Sequence, residues 1–233
     1  MPEPTSILRL YLIQVASLPG DYPVVCYLVQ TGDGKNILID TGLPDAAALP
    51  PGFEPTLGKT VVEQLAALGL QPGDINTLIC THFDADHAGH HSDFANAEAV
   101  VQKAHYDDAL TNPRHGLTRS QWDARQFRFV EGDTELIPGL ELIDTNGHNV
   151  GHQSVLVRLP ETGAVLLAID AVGAQSDFRA NRDDFSRDDN AEATLASTRR
   201  LLDLAQRENA ALVVFGHDRE QWKSLKKLPD YYN

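Results

Sequence analysis

Apolar runs of strand length recur along the chain and are separated by glycine-marked turns. Residues 23–40 (PVVCYLVQTGDGKNILID) hold two such runs around a turn at Asp33 and Gly34, which is the pattern of a β-hairpin. Residues 76–81 form a short, largely apolar run that is typical of a buried strand. Further strands are predicted at residues 127–131, 140–145, 153–159, 164–169 and 211–215.

Two other segments carry the periodicity of a helix. Residues 56–68 predict a helix that is followed by Gly69 as its C-cap and buries a stripe of Val61, Val62, Leu65 and Leu68. Residues 191–208 predict a second helix, with Asn190 as N-cap and a buried stripe of Leu195, Thr198, Leu202 and Ala205.

The order of these elements indicates the architecture. A β-rich block leads into a strand and a helix in the first half of the chain, and the second half repeats this order. Two such blocks favour two sheets packed face to face with helices outside, an α/β (α+β) fold. No linker divides the sequence, so we expect a single domain over residues 1–233.

The composition narrows the class of partner. Hydrophobic residues make up 42% and charged residues 22% of the chain, an ordinary globular balance without a low-complexity tract. A net charge of -14 repels nucleic acid and anionic membranes, so we expect neither as a partner. A small molecule that is not polyanionic is the expected ligand, and the oligomeric state stays open.

The N-terminus and the cysteines indicate a cytoplasmic location. The stretch MPEPTSILRLYLIQ lacks a cationic segment ahead of an apolar one, so it is not expected to be a signal peptide. The two cysteines, Cys26 and Cys80, lie inside apolar runs, where a thiol behaves as a small hydrophobic group. Two buried thiols and no export signal are typical of a reducing cytosol.

The residues that carry chemistry begin directly after the strand at 76–81. The stretch THFDADHAGHH, residues 81–91, is dense in histidine and aspartate. If it is extended, His82, Asp84 and Asp86 project to one side because side chains alternate along a strand. The adjacent His87 then turns to another side and can serve a second metal ion. Imidazole with carboxylate suits zinc and also accepts iron or manganese.

Three later residues of ligand type also stand where an apolar strand stops. His148 lies in GHNVGH after the strand at 140–145, Asp170 ends VLLAID, and His217 ends VVFGH. A buried aspartate at such a position is costly unless it is paired or bound to metal. The sequence therefore predicts a metal centre built from several strand ends.

Together these residues resemble the pattern of the metallo-β-lactamase superfamily, which is His-x-His-x-Asp-His followed by a histidine, an aspartate and a histidine. The resemblance covers nearly the whole chain and implies a four-layer αββα sandwich. It also implies that His82 and His148 hold one zinc, that Asp86, His87 and His217 hold the other, and that Asp170 bridges them. In the early segment LIDTG it makes Asp40 a residue that supports the site.

Within that superfamily the chain looks most like N-acyl-homoserine lactonases. The segments that carry this likeness are PVVCYLVQ, LIDTGLPDAA, GHQSVLV and FGHDREQWKSLKKLPDYY. The resemblance implies a hydrolase with two Zn²⁺ ions, with Fe, Mn or Co as substitutes, that opens a small neutral lactone in quorum quenching. A metal-bridging hydroxide would attack the ester carbonyl, and Asp86 or Asp170 would pass a proton to the leaving alkoxide.

Two departures from the pattern affect this expectation. Asp84 stands where the superfamily has its second histidine, and the tyrosine that those lactonases carry soon after the bridging aspartate is absent from residues 170–173. We expect Asp84 to bind metal, the alternative being that this shorter side chain stays behind the ligands. As a ligand it would bring the formal charge of the site to about zero and make it a weaker Lewis acid. Because that tyrosine is absent, no residue is assigned to the contact with the substrate carbonyl.

The remaining histidines receive milder interpretations. His90 and His91 are expected at the polar surface or behind the ligands, and His152 is expected to support the site structurally. His105 and His115 lie in the polar segment AHYDDALTNPRHGL and are expected to be solvated.

The charged segment 174–190 contains Phe178 and Phe185 as its only large apolar side chains. Such a loop is usually solvated, but because it follows Asp170 these rings could line a pocket for an acyl chain.

Three other functions stay open from the sequence. The same metal ligands suit hydrolases of another lactone, a thioester or a phosphoester. A redox di-iron protein is a second class, because the flavin-linked di-iron members of the superfamily carry a carboxylate at the position of Asp84. A metal-stabilised binding protein without turnover is a third.

Overall fold

The computed structural model describes residues 6–233. The expectation about a signal peptide falls partly on residues 1–5, which lie outside the described residues. The strands are β1 (Ile7–Leu18), β2 (Tyr22–Thr31), β3 (Asn36–Ile39), β4 (Thr56–Leu57), β5 (Thr77–Ile79), β6 (Glu98–Gln102), β7 (Phe127–Val130), β8 (Thr134–Ile137), β9 (Leu140–Asp144), β10 (Gln153–Leu159), β11 (Gly163–Ile169) and β12 (Leu212–Phe215). The helices are α1 (Val61–Ala66), α2 (Ala85–Ala88), α3 (Lys103–Ala109), α4 (Arg119–Trp122), α5 (Ala191–Arg207) and α6 (Arg219–Trp222).

The strands form two sheets. The first has the order β4-β1-β2-β3-β5-β6-β7, with antiparallel pairing from β4 to β3 and parallel pairing from β3 to β7. The second has the order β12-β11-β10-β9-β8 and is antiparallel except for the parallel pair β11 and β12. The carboxyl ends of β3 and β5 lie together in one sheet, and those of β11 and β12 lie together in the other.

Strand β2 shows how the layers are built. Tyr27 and Val29 pack into a cluster between the two sheets, whereas Cys26 and Leu28 point to the opposite face and pack against Val61 of α1 and its neighbours. Because both faces are covered, the strand is apolar throughout and shows no alternation of polar residues. On the far side of the second sheet, Leu201 and Leu204 of α5 pack on Leu156 and Leu166. This confirms the four-layer αββα sandwich.

Three sequence predictions about the elements are corrected by the structure. The strand predicted at 127–131 does form, but β7 is the outer strand of the first sheet and not part of the second block. The helix predicted at 56–68 is shorter, because Thr60 caps its start through a capping box with Glu63. The segment before it pairs with β1 as the short strand β4.

The third correction concerns α5, whose start and Asn190 cap are as predicted and whose end lies one residue earlier, but whose buried face is rotated. Its buried residues are Thr194, Ser197, Thr198, Leu201 and Leu204, and only Thr198 among them belongs to the predicted stripe. The helix passes so close to Gly147 that a Cβ there would lie 2.3 Å from the backbone nitrogen of Thr194. Small hydroxyl side chains fit this contact, and Ser197 Oγ donates to the carbonyl of Asn146 at 2.7 Å. Close approach at Gly147 therefore places small hydroxyl side chains on the buried face in the first turns, and Leu201 and Leu204 continue that face against the second sheet.

Cys26 and Cys80 are both free and buried, as expected for small apolar groups. Within residues 6–233, none of the helices is long and apolar enough to cross a membrane.

Candidate metal centre

The segment after β5 is only partly extended. His82 lies between β5 and α2, and Asp84, with a ψ of 157°, is the N-cap of α2. Asp86 and His87 lie in the single turn of that helix, so they reach the site from a helix and not by alternation along a strand. The predicted convergence of these side chains is therefore observed, but the predicted reason for it was wrong.

Helix α2 is held against the loop after β3 by close backbone contact. A Cβ at Gly89 would lie 2.1 Å from the backbone nitrogen of Pro44, so only glycine fits there. The amide of Thr41 donates to the carbonyl of His87 at 2.7 Å, and the amide of Gly89 donates to the carbonyl of Gly42 at 2.7 Å. These bonds fix the position of His87.

The second sheet supplies the other side of the site. His148 follows β9, Asp170 directly follows β11, and His217 follows β12. Ile169 adopts a φ of 52°, a conformation that is strained for a β-branched residue and that turns the chain at Asp170. At Gly216 a Cβ would lie 2.6 Å from Oδ1 of Asp170, so β12 approaches as closely as a glycine allows.

The structure brings all seven predicted ligand side chains together around Asp170. Its Oδ2 lies 3.2 Å from His217 Nε2 and 3.4 Å from His148 Nε2, and its Oδ1 lies 3.5 Å from His87 Nε2. Potential ligand atoms lie within 4.8 Å of one another in three groups, which are His82, His87 and Asp170; His82, Asp84 and His148; and Asp86, His87 and His217.

The four imidazoles share one arrangement, in which Nδ1 is anchored and Nε2 points to the centre. The anchors are Thr81 Oγ1 for His82 at 3.1 Å, Asp40 Oδ2 for His87 at 2.8 Å, Asp188 Oδ1 for His148 at 3.1 Å and the Pro23 carbonyl for His217 at 2.9 Å. Histidines that bind metals are typically oriented in this way through their second nitrogen. Asp40 thus supports the site as the resemblance implied.

Buried atoms without partners mark the position where a metal would bind. Nε2 of His82, Nε2 of His87 and Oδ1 of Asp170 are buried and make no hydrogen bond among the described residues. A buried polar atom without a partner costs about 1–3 kcal/mol, and it is uncommon in folded proteins. Coordination of divalent cations would satisfy all three atoms, so this set of donors fits two metal ions.

The electrostatics of the centre also favour added positive charge. Burial alone lowers the pKa of His87, but the carboxylates of Asp170 and Asp86 raise it well above its usual value. Burial lowers and Asp188 and Asp84 raise the pKa of His148, with a net rise to about 9. The carboxylates therefore attract either protons or metal ions to the imidazoles, and metal binding should release protons.

Asp84 lies between the histidines and an arginine that the sequence did not single out. Its Oδ2 is 3.3 Å from His148 Nε2 and 3.6 Å from His82 Nε2. On the other side Arg114 donates from Nη2 to Oδ2 at 2.6 Å and from Nε to Oδ1 at 2.8 Å. Burial raises the pKa of Asp84, but the bonds from Arg114 and His115 hold it well below its usual range. With Arg114 included, the formal charge of a loaded site changes from about zero to about +1.

His105 and His115, which were expected to be solvated, are buried, and so is His91, which was expected at the polar surface or behind the ligands. His105 accepts a hydrogen bond from the Phe83 amide at 2.8 Å, and its Nδ1 lies 2.7 Å from the Val150 carbonyl. Both ring nitrogens therefore have partners within the protein, and the ring is fully buried. His115 is also buried, with Nδ1 3.3 Å from Asp84 Oδ1. His91 is buried with both nitrogens unpartnered, and burial lowers its pKa to about 3. The expectation that His105 and His115 are solvated was wrong, and of the two positions expected for His91 the surface one is excluded.

The other two histidines behave as expected. His90 is partly exposed and lies 3.2 Å from Asp93 Oδ2. His152 is buried and supports the site, since its Nε2 accepts from the backbone amide of Asp170 at 3.3 Å and its Nδ1 lies 2.9 Å from Thr145 Oγ1.

The loop between β11 and α5 contributes charged residues to the site and no aromatic ones. Phe178 packs on Phe215 behind the second sheet, and Phe185 lies beneath the guanidinium of Arg182, so neither ring lines the site. Asp188, like Arg114, is a residue that sequence reasoning missed, because nothing in a run of charged residues distinguishes it. Buried Arg182 donates to its Oδ2 at 2.7 Å, which fixes the carboxylate that orients His148.

A cavity of about 450 Å³ opens above the metal centre. Its walls include Leu18, Arg114, Ser186 and Arg187 in addition to five of the predicted ligands, which are Asp84, Asp86, His148, Asp170 and His217. A small molecule can therefore reach the carboxylates and imidazoles from solvent.

Comparison with known proteins places this site in a family. The family model described as "Metallo-beta-lactamase superfamily" matches residues 19–217. An N-acyl homoserine lactonase from a Bacillus species is 35% identical over 91% of this chain and 87% of its own length. The crystal structure of a B. thuringiensis AiiA variant with N-decanoyl-L-homoserine at its active site superposes with a TM-score of 0.88, at 29% identity, over 97% of this chain and 100% of that chain.

A second solved structure shows where the ligand binds in such a protein. This N-acyl homoserine lactone hydrolase holds the product N-hexanoyl-L-homoserine at its catalytic metal centre. It superposes with a TM-score of 0.87, at 29% identity, over 97% of this chain and 100% of that chain.

Proposed function

The chain belongs to the metallo-beta-lactamase superfamily, and from that membership and the geometry of its metal centre we propose that it is an N-acyl-homoserine lactonase. It hydrolyses the neutral lactone ring of the substrate and so removes a quorum-sensing signal. The observation that carries the proposal is the convergence of four anchored imidazoles and three carboxylates at the base of an open cavity. Relatives with this activity match the chain over most of its length.

Seven residues hold the metal ions in this proposal. His82, Asp84 and His148 form one subsite, Asp86, His87 and His217 form the other, and Asp170 is shared. Nitrogen and oxygen donors of this kind suit Zn²⁺, which we propose as the metal. Bound metal would supply a nucleophilic water at neutral pH and polarisation of the ester carbonyl.

Asp86 is the residue that we assign to proton transfer. Its side chain is 15% exposed and lines the cavity, with Oδ2 at 3.5 Å from His217 Nε2. Asp170 is more enclosed and lies between imidazoles of both subsites, which suits it to hold the site together. When the ester C–O bond breaks, the leaving alkoxide needs a proton, and a carboxylate at the cavity wall can deliver it.

The charge of the protein favours a neutral substrate. A net charge of -14 opposes the approach of anions over long range, whereas an uncharged lactone is not repelled. The two free, buried thiols support a location in the cytoplasm, where such signals are also present once they have entered the cell. We propose that residues 1–233 act there as one domain.

The test is a substrate panel with purified, metal-replete protein in a pH-stat. Acyl-homoserine lactones should be opened with release of one proton per turnover and with a kcat/KM at least about tenfold above that for an anionic phosphodiester, about 1.4 kcal/mol in transition-state free energy. Asp86→Asn should lower kcat for the lactone, whereas Asp93→Asn, at an aspartate that is 43% exposed, should not. Phosphodiester or thioester turnover that equals lactone turnover would overturn the assignment.

A further inference from the structure

Arg187 lies against a glycine in the wall of the cavity. A Cβ built on Gly173 would lie 2.9 Å from Nη2 and 3.7 Å from Cζ of Arg187, so the guanidinium occupies the space that any side chain at position 173 would fill. Gly173 itself is buried, and its φ lies outside the left-handed region. Glycine at this position therefore leaves space for the Arg187 guanidinium, and its backbone conformation does not require glycine.

The contact places the guanidinium beside the metal centre. The amide of His217 donates to the carbonyl of Gly173 at 2.9 Å, so Gly173 is bonded directly to the backbone of a proposed ligand. Arg187, His217 and Asp170 line the same cavity of about 450 Å³. A ligand bound in this cavity therefore shares it with the side chain of Arg187.

The carboxylates nearest to Arg187 in the sequence are bonded to other groups. Asp188 pairs with Arg182 and His148, and Asp189 pairs with Arg114 at 2.9 Å. Among the residues that the structure describes, the guanidinium of Arg187 has no carboxylate within ion-pair distance. The other arginine of the cavity, Arg114, is occupied by Asp84 and Asp189. Arg187 is thus the cation in this wall whose donors are available to a ligand.

We propose that Arg187 binds the oxygen atoms that become negatively charged when the lactone is opened. The inference rests on the proposed function. Attack of water on the ester carbonyl forms a C–O bond and places negative charge on the carbonyl oxygen. Cleavage of the ring C–O bond then gives an alcohol, a carboxylate and one proton. A guanidinium binds a carboxylate through two parallel hydrogen bonds, so it favours the reacting state and the product over the neutral substrate.

Arg187→Met removes the charge and keeps most of the length of the side chain. We expect kcat/KM for an acyl-homoserine lactone to fall about 10- to 100-fold, less than for an enclosed oxyanion donor because Arg187 is exposed to water. KM should change less than about threefold because the substrate is neutral. The dissociation constant of the product N-hexanoyl-L-homoserine, measured by calorimetry, should rise at least about tenfold. Metal content should stay at the wild-type value.

A matched control is available in the same loop. Arg179 donates from Nε to the carbonyl of Ser176 at 3.0 Å, pairs with Asp183 and does not line the cavity. Arg179→Met removes the same charge from the same loop, so it should leave kcat/KM and product affinity unchanged. This comparison separates binding by Arg187 from a general effect of net charge.

Gly173→Ala gives a second perturbation that leaves Arg187 in the chain. The added methyl group meets only the flexible end of the Arg187 side chain, so the guanidinium must move while the backbone can stay. We expect an approximately three- to tenfold loss of kcat/KM in the wild-type background and no further loss in the Arg187→Met background.

The outcomes separate the two proposals. Wild-type protein that does not open lactones overturns the proposed function. If the wild type is active but Arg187→Met matches Arg179→Met in both turnover and product affinity, Arg187 has no role in binding. If Gly173→Ala and Arg187→Met have additive effects, the glycine does not act through the guanidinium, and the inference is also overturned.

Discussion

Replacing Arg114 by methionine tests whether Asp84 is a metal ligand. The substitution removes the guanidinium that donates two hydrogen bonds to Asp84 and leaves that carboxylate among the histidines. In metal-free protein Asp84 then keeps only the His148 imidazole, with Nε2 at 3.3 Å, as a close partner of opposite charge. In metal-loaded protein a cation bound by Asp84 would balance the charge in place of Arg114.

The structure sets the size of the effect. Arg114 Nη2 and Asp84 Oδ2 are 2.6 Å apart, and the two side chains are 29% and 13% exposed. Charges centred about 4 Å apart interact by about 4 kcal/mol at an effective dielectric constant near 20. Because water reaches Arg114 and screens the pair, we expect the free energy of unfolding of metal-free protein to fall by about 2–3 kcal/mol. With metal bound the loss should be below about 1 kcal/mol, since the charge of Asp84 is then compensated.

The two losses are linked to metal affinity. A variant that is destabilised more without metal than with it must bind metal more tightly than the wild type. A difference of about 2 kcal/mol corresponds to about 30-fold tighter binding. Arg114 thus competes with the metal for Asp84.

Urea unfolding at 25 °C measures both losses, once in the presence of a chelator and once with excess zinc. Competition with a chromophoric chelator gives the zinc affinity independently. Arg128→Met is the matched control, because Arg128 lies 3.5 Å from Glu98 at the surface and should contribute less than about 0.5 kcal/mol in either state. Equal destabilisation of Arg114→Met with and without zinc, and unchanged affinity, would refute ligation by Asp84.

Three further substitutions test the supports of the site. Asp188→Asn should weaken zinc binding about tenfold because it removes the charge that orients His148, whereas Asp183→Asn at an exposed site should not. Equal zinc retention by the two variants during dialysis against a chelator would argue against this role of Asp188. His91→Leu should flatten the pH dependence of stability in metal-free protein between about pH 6.5 and 4. The pKa of His91 in the folded protein, about 3, lies below that in the unfolded chain, so the wild type loses up to about 1.4 kcal/mol of stability for each pH unit as the pH falls. Parallel curves of stability against pH for the two proteins would contradict the reasoning. Gly89→Ala should lower the free energy of unfolding by about 2 kcal/mol or more, since its Cβ overlaps the backbone at Pro44, and a stable variant would show that α2 can move.

The parts of the site that the sequence could predict are those in which residue type and position agree. His82, Asp170 and His217 are ligand types that lie within three residues after an apolar strand, and strands of a packed sheet bring their ends together. Such positions can be found without knowing any distance. The two-sheet architecture was predictable for the same reason, because buried strands such as β2 are apolar on both faces.

The missed residues depend on contacts between segments far apart in the chain. Arg114 meets Asp84 across 30 positions, and Asp188 meets His148 across 40. Both lie in polar segments whose composition looks solvated. The sequence did hold one signal for Arg114, because the additional carboxylate of Asp84 in the metal motif is stabilised by a nearby cation. His105 was missed because its partner is a backbone carbonyl, that of Val150, which leaves no trace in the sequence pattern.

The central claim is that the chain opens lactones with two metal ions held in adjacent subsites that share Asp170. A metal titration tests this claim most directly. Chelated protein is titrated with zinc while bound metal is counted by elemental analysis and hydrolysis of an acyl-homoserine lactone is followed in parallel. We predict that two ions bind per chain and that activity is complete only with the second, whereas Asp170→Ala stays folded, binds fewer ions and is inactive. Full activity with one ion or none, or full activity of Asp170→Ala, would contradict the account.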